Sequence, residues 1–315
     1  MPNIVLQTEG LTKRYGALTA VKELSLQVHE GEVFGFLGPN GAGKTTSINM
    51  MCGLLKPDAG QVMLRGLPVT GADASLRSRV GVCPQNIILW ERLTCLEQLQ
   101  FIGEMYGLAG GEARRRGLRL LEELDLVDKR DKQARTLSGG MQRRLNLIMA
   151  LVHDPELVVL DEPEAGLDPQ SRVKVREYVQ SLARKKTVIL TTHNMDEAER
   201  VADRVAIIDH GELLVLDTPQ ALKRRVGEGD VVEIGLGKLS IDEQKIRVGL
   251  SALNHSVRLD FAHGVLIVRA LDAVRMLPAV LETLRAAGVQ PGEVRVRENT
   301  LEDVFIQLTG RGLRE

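Results

Sequence analysis

The chain has 315 residues, with 41 Lys and Arg against 42 Asp and Glu, 43% hydrophobic residues and a formal net charge of −1. That length holds two domains with proper cores, the apolar content excludes intrinsic disorder, and the balanced charge argues against a nucleic-acid binder. Cys52, Cys83 and Cys95, odd in number and without CxxC pairing, fit free thiols in a reducing cytosol; with no long apolar run and no secretory pattern in "MPNIVLQTEG", the chain is expected to be soluble and to reach any membrane through a partner.

Residues 4–37 read as strands, "IVLQTEGLTKRYG" and then "ELSLQVHEGEVFGFLG", with the turn "HEGE" expected to join two runs as a hairpin. From Gly38 the pattern becomes strand, loop, helix. Short apolar runs "VGVC", "ELVVLDEP" and "TVILTTH" alternate with helical stretches "SLRSRV", "CLEQLQFIGEMYGL", "GEARRRGLRLLEELDL" and "DPQSRVKVREYVQSLARK". Continuous apolar strands between helices indicate an α/β fold whose parallel sheet is buried on both faces. After "DTPQALKRRVGEGD" the composition resets, and Gly227–Asp230 reads as a linker. Beyond it the order strand, helix, hairpin, helix, strand, with a final helix "TLEDVFIQLTG", is that of a small α+β ferredoxin-like domain. The expected division is 1–226 and 227–315.

"GPNGAGKTT", Gly38 to Thr46, matches G-x-x-x-x-G-K-[ST] in full, after the strand "VFGFL" and before the helix "TTSINMMCGLL". Gly38, Gly41 and Gly43 permit a tight backbone. With Pro39, Asn40, Ala42 and Thr46 they form a loop whose N–H groups wrap phosphates. Lys44 is placed to reach the β- and γ-phosphates, and the Thr45 hydroxyl to ligate Mg²⁺. Asp161 and Glu162 end the buried strand of "ELVVLDEP", where functional sites of such sheets lie. Asp161 is expected to hold Mg²⁺ through water, and Glu162 to orient or deprotonate an attacking water. His193 falls at the same sheet edge, suited to a γ-phosphate contact. Gln85 ends another short strand, broken by Pro84; its spacing alone leaves open whether it contacts a metal or water at all. A second anion site stands far downstream in "RTLSGGMQRRLNLIM": Ser138, Gly139 and Gly140 open a helix with exposed N–H groups beside a hydroxyl. A plain N-cap turn uses the same geometry.

In order, "GPNGAGKTT", "CPQ", "LSGGMQRRL", "LVVLDEPEAGLDP" and "TTH" resemble the ATP-binding-cassette ATPases over roughly residues 4–225. The resemblance implies a P-loop NTPase cassette with a RecA-like core, an antiparallel β subdomain and a helical subdomain at about 86–155. It implies that Gln85 belongs to the Q-loop, as a further metal contact, that Glu162 is the catalytic base, Asp168 a D-loop residue and His193 the switch histidine. Tyr15 falls where the family stacks a ring on adenine, although by chemistry alone it suits strand packing equally. Ser138, Gly139, Gly140 and Asp168 would contact ATP held by a second copy, so each nucleotide is clamped between two chains. Met141 after "LSGG" and the tail "NTLEDVFIQLTGR" resemble the drug- and lipid-exporting branch, which includes daunorubicin-resistance-type ATPases. Glu164 departs from the threonine usual at its position.

The resemblance implies a motor using ATP and Mg²⁺, docked as a dimer on a separate permease at the inner face of the cell membrane, with no nucleic acid. "NIILWERLT" follows the Q-loop, where the family receives the permease, and Trp90 there either lines that groove or packs internally. The basic "ARRRG" reads as a solvated helix face. Among competing readings, a soluble translation or DNA-repair ATPase calls for two cassettes or long heptads, and neither is present. An importer motor with a ligand-sensing C-terminal domain is disfavoured by "LEDVF" and "LSGGM", and a non-hydrolysing regulatory module by Glu162.

Overall fold

The computed structural model describes residues 3–70, 77–226, 230–237, 243–251, 258–262, 264–270 and 273–310. The linker residues 227–229 and the first two residues of "SLRSRV", expected as a helix, lie outside that set, and the last residue of that stretch, Val80, opens a strand. The chain divides into two compact units, Met1–Thr218 and Pro219–Leu313. The helix Pro219–Val226, placed by sequence before the division, clusters with the second unit.

In the first unit, strands β1 (Ile4–Tyr15), β2 (Leu18–His29), β4 (Ala59–Leu64) and β5 (Leu67–Pro68) form an antiparallel sheet in the order β2-β1-β4-β5. A second sheet takes β3 (Val33–Leu37), β6 (Val80–Cys83), β7 (Leu157–Asp161), β8 (Thr187–Thr192), β9 (Arg204–Asp209) and β10 (Glu212–Asp217) in the order β10-β9-β3-β8-β7-β6. All its pairings are parallel except β10 on β9. Every residue of β3, β7 and β8 is buried, as continuous apolar runs covered on both faces require.

The expected "HEGE" hairpin does not form. β2 alternates buried and exposed residues and stays in the antiparallel sheet, whereas the wholly buried β3 pairs with β8 and β9. The turn passes the chain from one sheet to the other, and the hairpin is the tighter one between Tyr15 and Leu18. Helix α1 (Lys44–Met51) follows β3. Helices α2 (Cys95–Met105), α3 (Gly110–Glu123) and α4 (Gly139–Met149) lie between β6 and β7 in sequence. Thr94 and Glu97 form a capping box at the start of α2. Helices α5 (Pro169–Leu182) and α6 (Met195–Val201) follow β7 and β8. Crossovers of this kind bring the carboxyl ends of β3, β7 and β8 to one edge, which positions the site.

The second unit begins with α7 (Pro219–Val226), then β11 (Asp230–Gly235), α8 (Glu243–Ser251), β12 (Arg258–Ala262), β13 (Val265–Ala270), α9 (Ala273–Ala286), β14 (Val294–Glu298) and α10 (Leu301–Thr309). The antiparallel order β12-β13-β11-β14 with βαββαβ connectivity is the ferredoxin-like arrangement. Val232, Ile234, Leu266 and Val268 pack with Ile246 of α8 and Leu284 of α9. Helix α10 is tied down by a buried carboxylate. Asp303 accepts hydrogen bonds from Arg269 Nη2 at 2.8 Å and from Arg297 Nη1 and Nη2 at 2.6 and 3.0 Å, and it closes a capping box with Thr300. Burial raises the Asp303 pKa, but the hydrogen bonds of Arg297, the Thr300 backbone and Arg269 outweigh it and hold the carboxyl well below the usual range.

Candidate nucleotide site

Residues 38–43 link β3 to α1 through backbone that side chains resist. Gly41 and Gly43 sit at φ +79° and +99°, and a Cβ on Gly43 would lie 2.4 Å from the Ala20 carbonyl oxygen. Lys44, buried at the first position of α1, donates to the carbonyls of Gly38 at 2.7 Å and Pro39 at 3.0 Å. Burial lowers its pKa, opposed by the charges of Glu162 and Asp161.

The end of β7 supplies both carboxylates. Asp161 Oδ2 accepts from Thr45 Oγ1 at 3.3 Å, and Asp161 Oδ1 accepts from Thr191 Oγ1. Glu162 leaves the strand at φ 48°, left-handed for a side-chain-bearing residue. Its N–H is held by the oxygens of Thr191, Oγ1 at 3.0 Å and the carbonyl at 3.1 Å. That kink turns the Glu162 carboxylate back over the loop. Its Oε1 lies 3.0 Å from His193 Nδ1 and 3.7 Å from Lys44 Nζ, and its Oε2 accepts from Gln85 Nε2 at 3.3 Å. Three segments distant in sequence therefore converge on one buried carboxylate. The imidazole is half exposed and the carboxylate is not, so the open side of the cluster is the histidine side.

Lys44, Thr45, Gln85, Asp161, Glu162 and His193, all expected from sequence, thus form one group. Tyr15 is half exposed at the end of β1, with Lys13 Nζ 5.9 Å from its ring, and is not a packing residue of the strand. Ser138, Gly139, Gly140 and Asp168 form a second group. Ser138 caps α4 by accepting from the Met141 N–H at 3.4 Å. Asp168 caps α5, accepting from the N–H groups of Gln170 and Ser171 at 3.1 and 3.0 Å and from Ser171 Oγ at 2.6 Å. The Ser171 hydroxyl and N–H hold the Asp168 carboxyl below its usual range. The two caps touch: a Cβ on Gly140 would lie 2.6 Å from Ser171 Oγ, whereas one on Gly139 meets nothing within 4 Å.

Two functional residues escape the sequence reading. Thr191, wholly buried, braces both carboxylate residues. Arg143 is fully buried beneath them, and its only sequence signal is a charge on the apolar stripe of α4, four residues before Leu147. Glu164 finds its account here. It accepts from Arg176 Nη2 at 3.3 Å and faces Glu197, which in turn accepts from Thr192 Oγ1 at 3.2 Å and Asn194 Nδ2 at 3.1 Å, on either side of His193. Burial, then the Glu197 charge, pushes Glu164 up to about 7, with Arg176 opposing.

An apolar patch lies between the Q-loop and α2: Ile88 is 60% exposed and Trp90 40%. Trp90 also stacks edge-on against Phe101, with ring centroids 5.2 Å apart, so it is at once packed and exposed. Among the described residues no helix is long and apolar enough to cross a membrane.

Buried phosphate-loop lysine, hydroxyl, paired carboxylates, glutamine and histidine at one sheet edge are equipped to bind a polyphosphate and to handle a water beside it. Comparisons with known proteins agree. A model described as ABC transporter matches residues 21–165. The chain is 37% identical over 314 residues to the linearmycin resistance ATP-binding protein LnrL of Bacillus subtilis, covering 99% of this chain and 100% of that one. It is 41% identical to a Nod factor export ATP-binding protein I of Ralstonia nicotianae, over 99% of this chain and 95% of that protein. With the daunorubicin resistance ATP-binding protein DrrA2 of Streptomyces coeruleorubidus it shares 37% identity, over 98% and 96%. Among solved structures, an ATP-binding subunit of an ABC transporter superposes with TM-score 0.65 at 29% identity, covering 70% of this chain and 92% of that one. The bacterial ABC transporter cassette MJ0796, solved as a dimer, superposes with TM-score 0.63 at 27% identity, over 68% and 98%.

Proposed function

This chain belongs to the ABC transporter family as an ATP-hydrolysing subunit of its drug-exporter branch, and on that premise we propose how its residues run the motor. The loop from Gly38 to Thr46 wraps the phosphates of ATP, Lys44 neutralises the β- and γ-phosphates, and the exposed ring of Tyr15 stacks on adenine. Glu162 orients the attacking water and takes its proton as the water oxygen bonds to the γ-phosphorus and ADP departs. His193, on the open side of the same carboxylate, meets the γ-phosphate. The observation that carries this reading is the convergence of Lys44, Gln85 and His193 on Glu162.

The Thr45 hydroxyl beside Asp161, with the Gln85 side chain near, is a hard-oxygen set that fits Mg²⁺, a metal usually held by one or two carboxylates and substrate phosphates. Thr45, Asp161 and Gln85 would hold it. Bound there, the ion offsets phosphate charge. Thr191 keeps the Asp161 carboxylate oriented.

Ser138, Gly139, Gly140 and Asp168 act on ATP held by a second copy of the chain. The pair docks on a membrane permease through the apolar patch around Ile88 and Trp90, which places the subunit at the inner face of the cell membrane. The cargo is a drug, a lipid or another hydrophobic compound, the reading supported by relatives named for linearmycin and daunorubicin resistance and for Nod factor export. The ferredoxin-like unit is a regulatory or dimerisation domain. The test is co-purification with a membrane permease that lacks an ATPase of its own. In vesicles the complex should move a hydrophobic cargo at the expense of Mg-ATP, and transport that ignores ATP would refute the reading.

A further inference from the structure

A buried arginine needs acceptors for its five N–H groups. Arg143, 2% exposed in the second turn of α4, finds them all on main-chain carbonyls. Its Nε donates to Pro163 at 3.0 Å, its Nη1 to Pro84 at 3.2 Å and to Gln85, and its Nη2 to Asp161 at 3.1 Å and to Glu162. These carbonyls come from two segments, the one after β6 that carries Gln85 and the one after β7 that carries Glu162. Among the described residues Arg143 makes no ion pair with a carboxylate, so it fixes backbone rather than a mobile side chain. A planar fork is suited to that, because its donors hold a set geometry that an ammonium group cannot copy.

Two further facts give the contact a purpose. Glu162 stands at φ 48°, a conformation that persists only when its surroundings over-determine it, and Arg143 grips the carbonyl on one side of that residue while Thr191 grips the N–H on the other. Arg143 also rides on the helix that Ser138 caps, five residues from the partner-facing turn.

We propose that Arg143 is a positioning residue for hydrolysis, which locks the Gln85 and Glu162 backbones to α4 and so holds the catalytic carboxylate in line with the start of that helix. The inference rests on Glu162 being the base. The experiment compares Arg143→Lys and Arg143→Met in the full chain, reading thermal stability, Mg-ATP binding and single-turnover hydrolysis. Arg143→Met is included because it keeps a side chain of similar volume while removing every hydrogen bond of the fork. Both variants should fold and bind ATP within about threefold of wild type, while hydrolysis falls about a hundredfold, the scale of a 1 Å misplacement of a reacting group. In the Glu162→Gln background the Arg143→Lys change should add less than about threefold, as expected of residues acting through one group.

A folded Arg143→Lys chain with wild-type turnover overturns the proposal. So does a loss of ATP binding as large as that of Lys44→Ala, or a collapse of both variants' stability together with binding, since Arg143 would then serve binding or folding. The underlying reading fails separately: if Glu162→Gln alone turns over normally, the base is misassigned whatever Arg143 does. If Glu162→Gln is inactive and both Arg143 variants are fast, only the present inference falls.

Discussion

His193 Nδ1 lies 3.0 Å from Glu162 Oε1, joining the ends of two neighbouring parallel strands across the mouth of the phosphate loop. With Gln85 on its other oxygen, the carboxylate is held from both sides before any water reaches it.

Replacing that carboxylate separates binding from chemistry. Glu162→Gln should keep Mg-ATP affinity and lose at least about a hundredfold in turnover, the scale of a lost general base. Lys44→Ala should instead weaken binding itself. Equilibrium titration beside a phosphate-release assay decides between them; a fast Glu162→Gln variant would remove the residue from its role.

The trans role of the Ser138 turn calls for a substitution that leaves the chain's own packing intact. Gly140 is unsuitable, since any side chain there meets Ser171 at 2.6 Å, whereas Gly139 faces open space. Glu162→Gln should trap an ATP-dependent dimer. Adding Gly139→Asp should abolish it by placing a carboxylate against the partner's γ-phosphate, while ATP binding to the chain's own Lys44 stays within about threefold. Light scattering with and without Mg-ATP reads the outcome, and a double variant that still dimerises contradicts the trans assignment.

In the second unit, Asp303→Asn should remove the carboxylate shared by Arg269 and Arg297, leaving them Asp260 and Glu233, and destabilise the unit by about 2 kcal/mol. Because the folded pKa is depressed from 3.8, the wild-type advantage is full above that value and fades as the pH falls through the lower folded one. Hydrogen exchange in β11 and β13 should rise while nucleotide binding by the first unit is unchanged; equal protection in wild type and variant would show that the cluster is not stabilising.

Glu164 titrates in the opposite sense. Its pKa rises from 4.5 to about 7 on folding, so the folded chain binds the extra proton and its stability drops as pH climbs through that window. Glu164→Thr removes the group. The melting temperature of wild type minus that of the variant should therefore grow as pH is lowered from 8 to 5, and a flat difference would mean that Glu164 stays ionised throughout.

Much of this was legible because it depends on short-range pattern. The apolar runs of β3, β7 and β8 can only be buried strands, and glycines at Gly41 and Gly43 announce a backbone that other residues resist. The "HEGE" turn misled because turn chemistry reports a reversal and not which sheet receives the strand. Arg143 stayed hidden for a related reason. Helical periodicity puts it on the buried stripe, but the carbonyls it reaches come from segments 58 and 59 residues earlier and 18 to 20 later. Glu164 was visible as an oddity, yet only the fold brings Arg176 and Glu197 to it.

The left-handed kink at Glu162 carries one more consequence. A non-glycine residue held there costs on the order of 1–3 kcal/mol, and glycine would relieve most of it. Selection for thermal robustness alone would thus favour Glu162→Gly, a change that relieves the kink and silences the motor. Here stability and turnover pull the sequence in opposite directions, and a thermostability screen run without an activity readout should recover inactive chains mutated at this position.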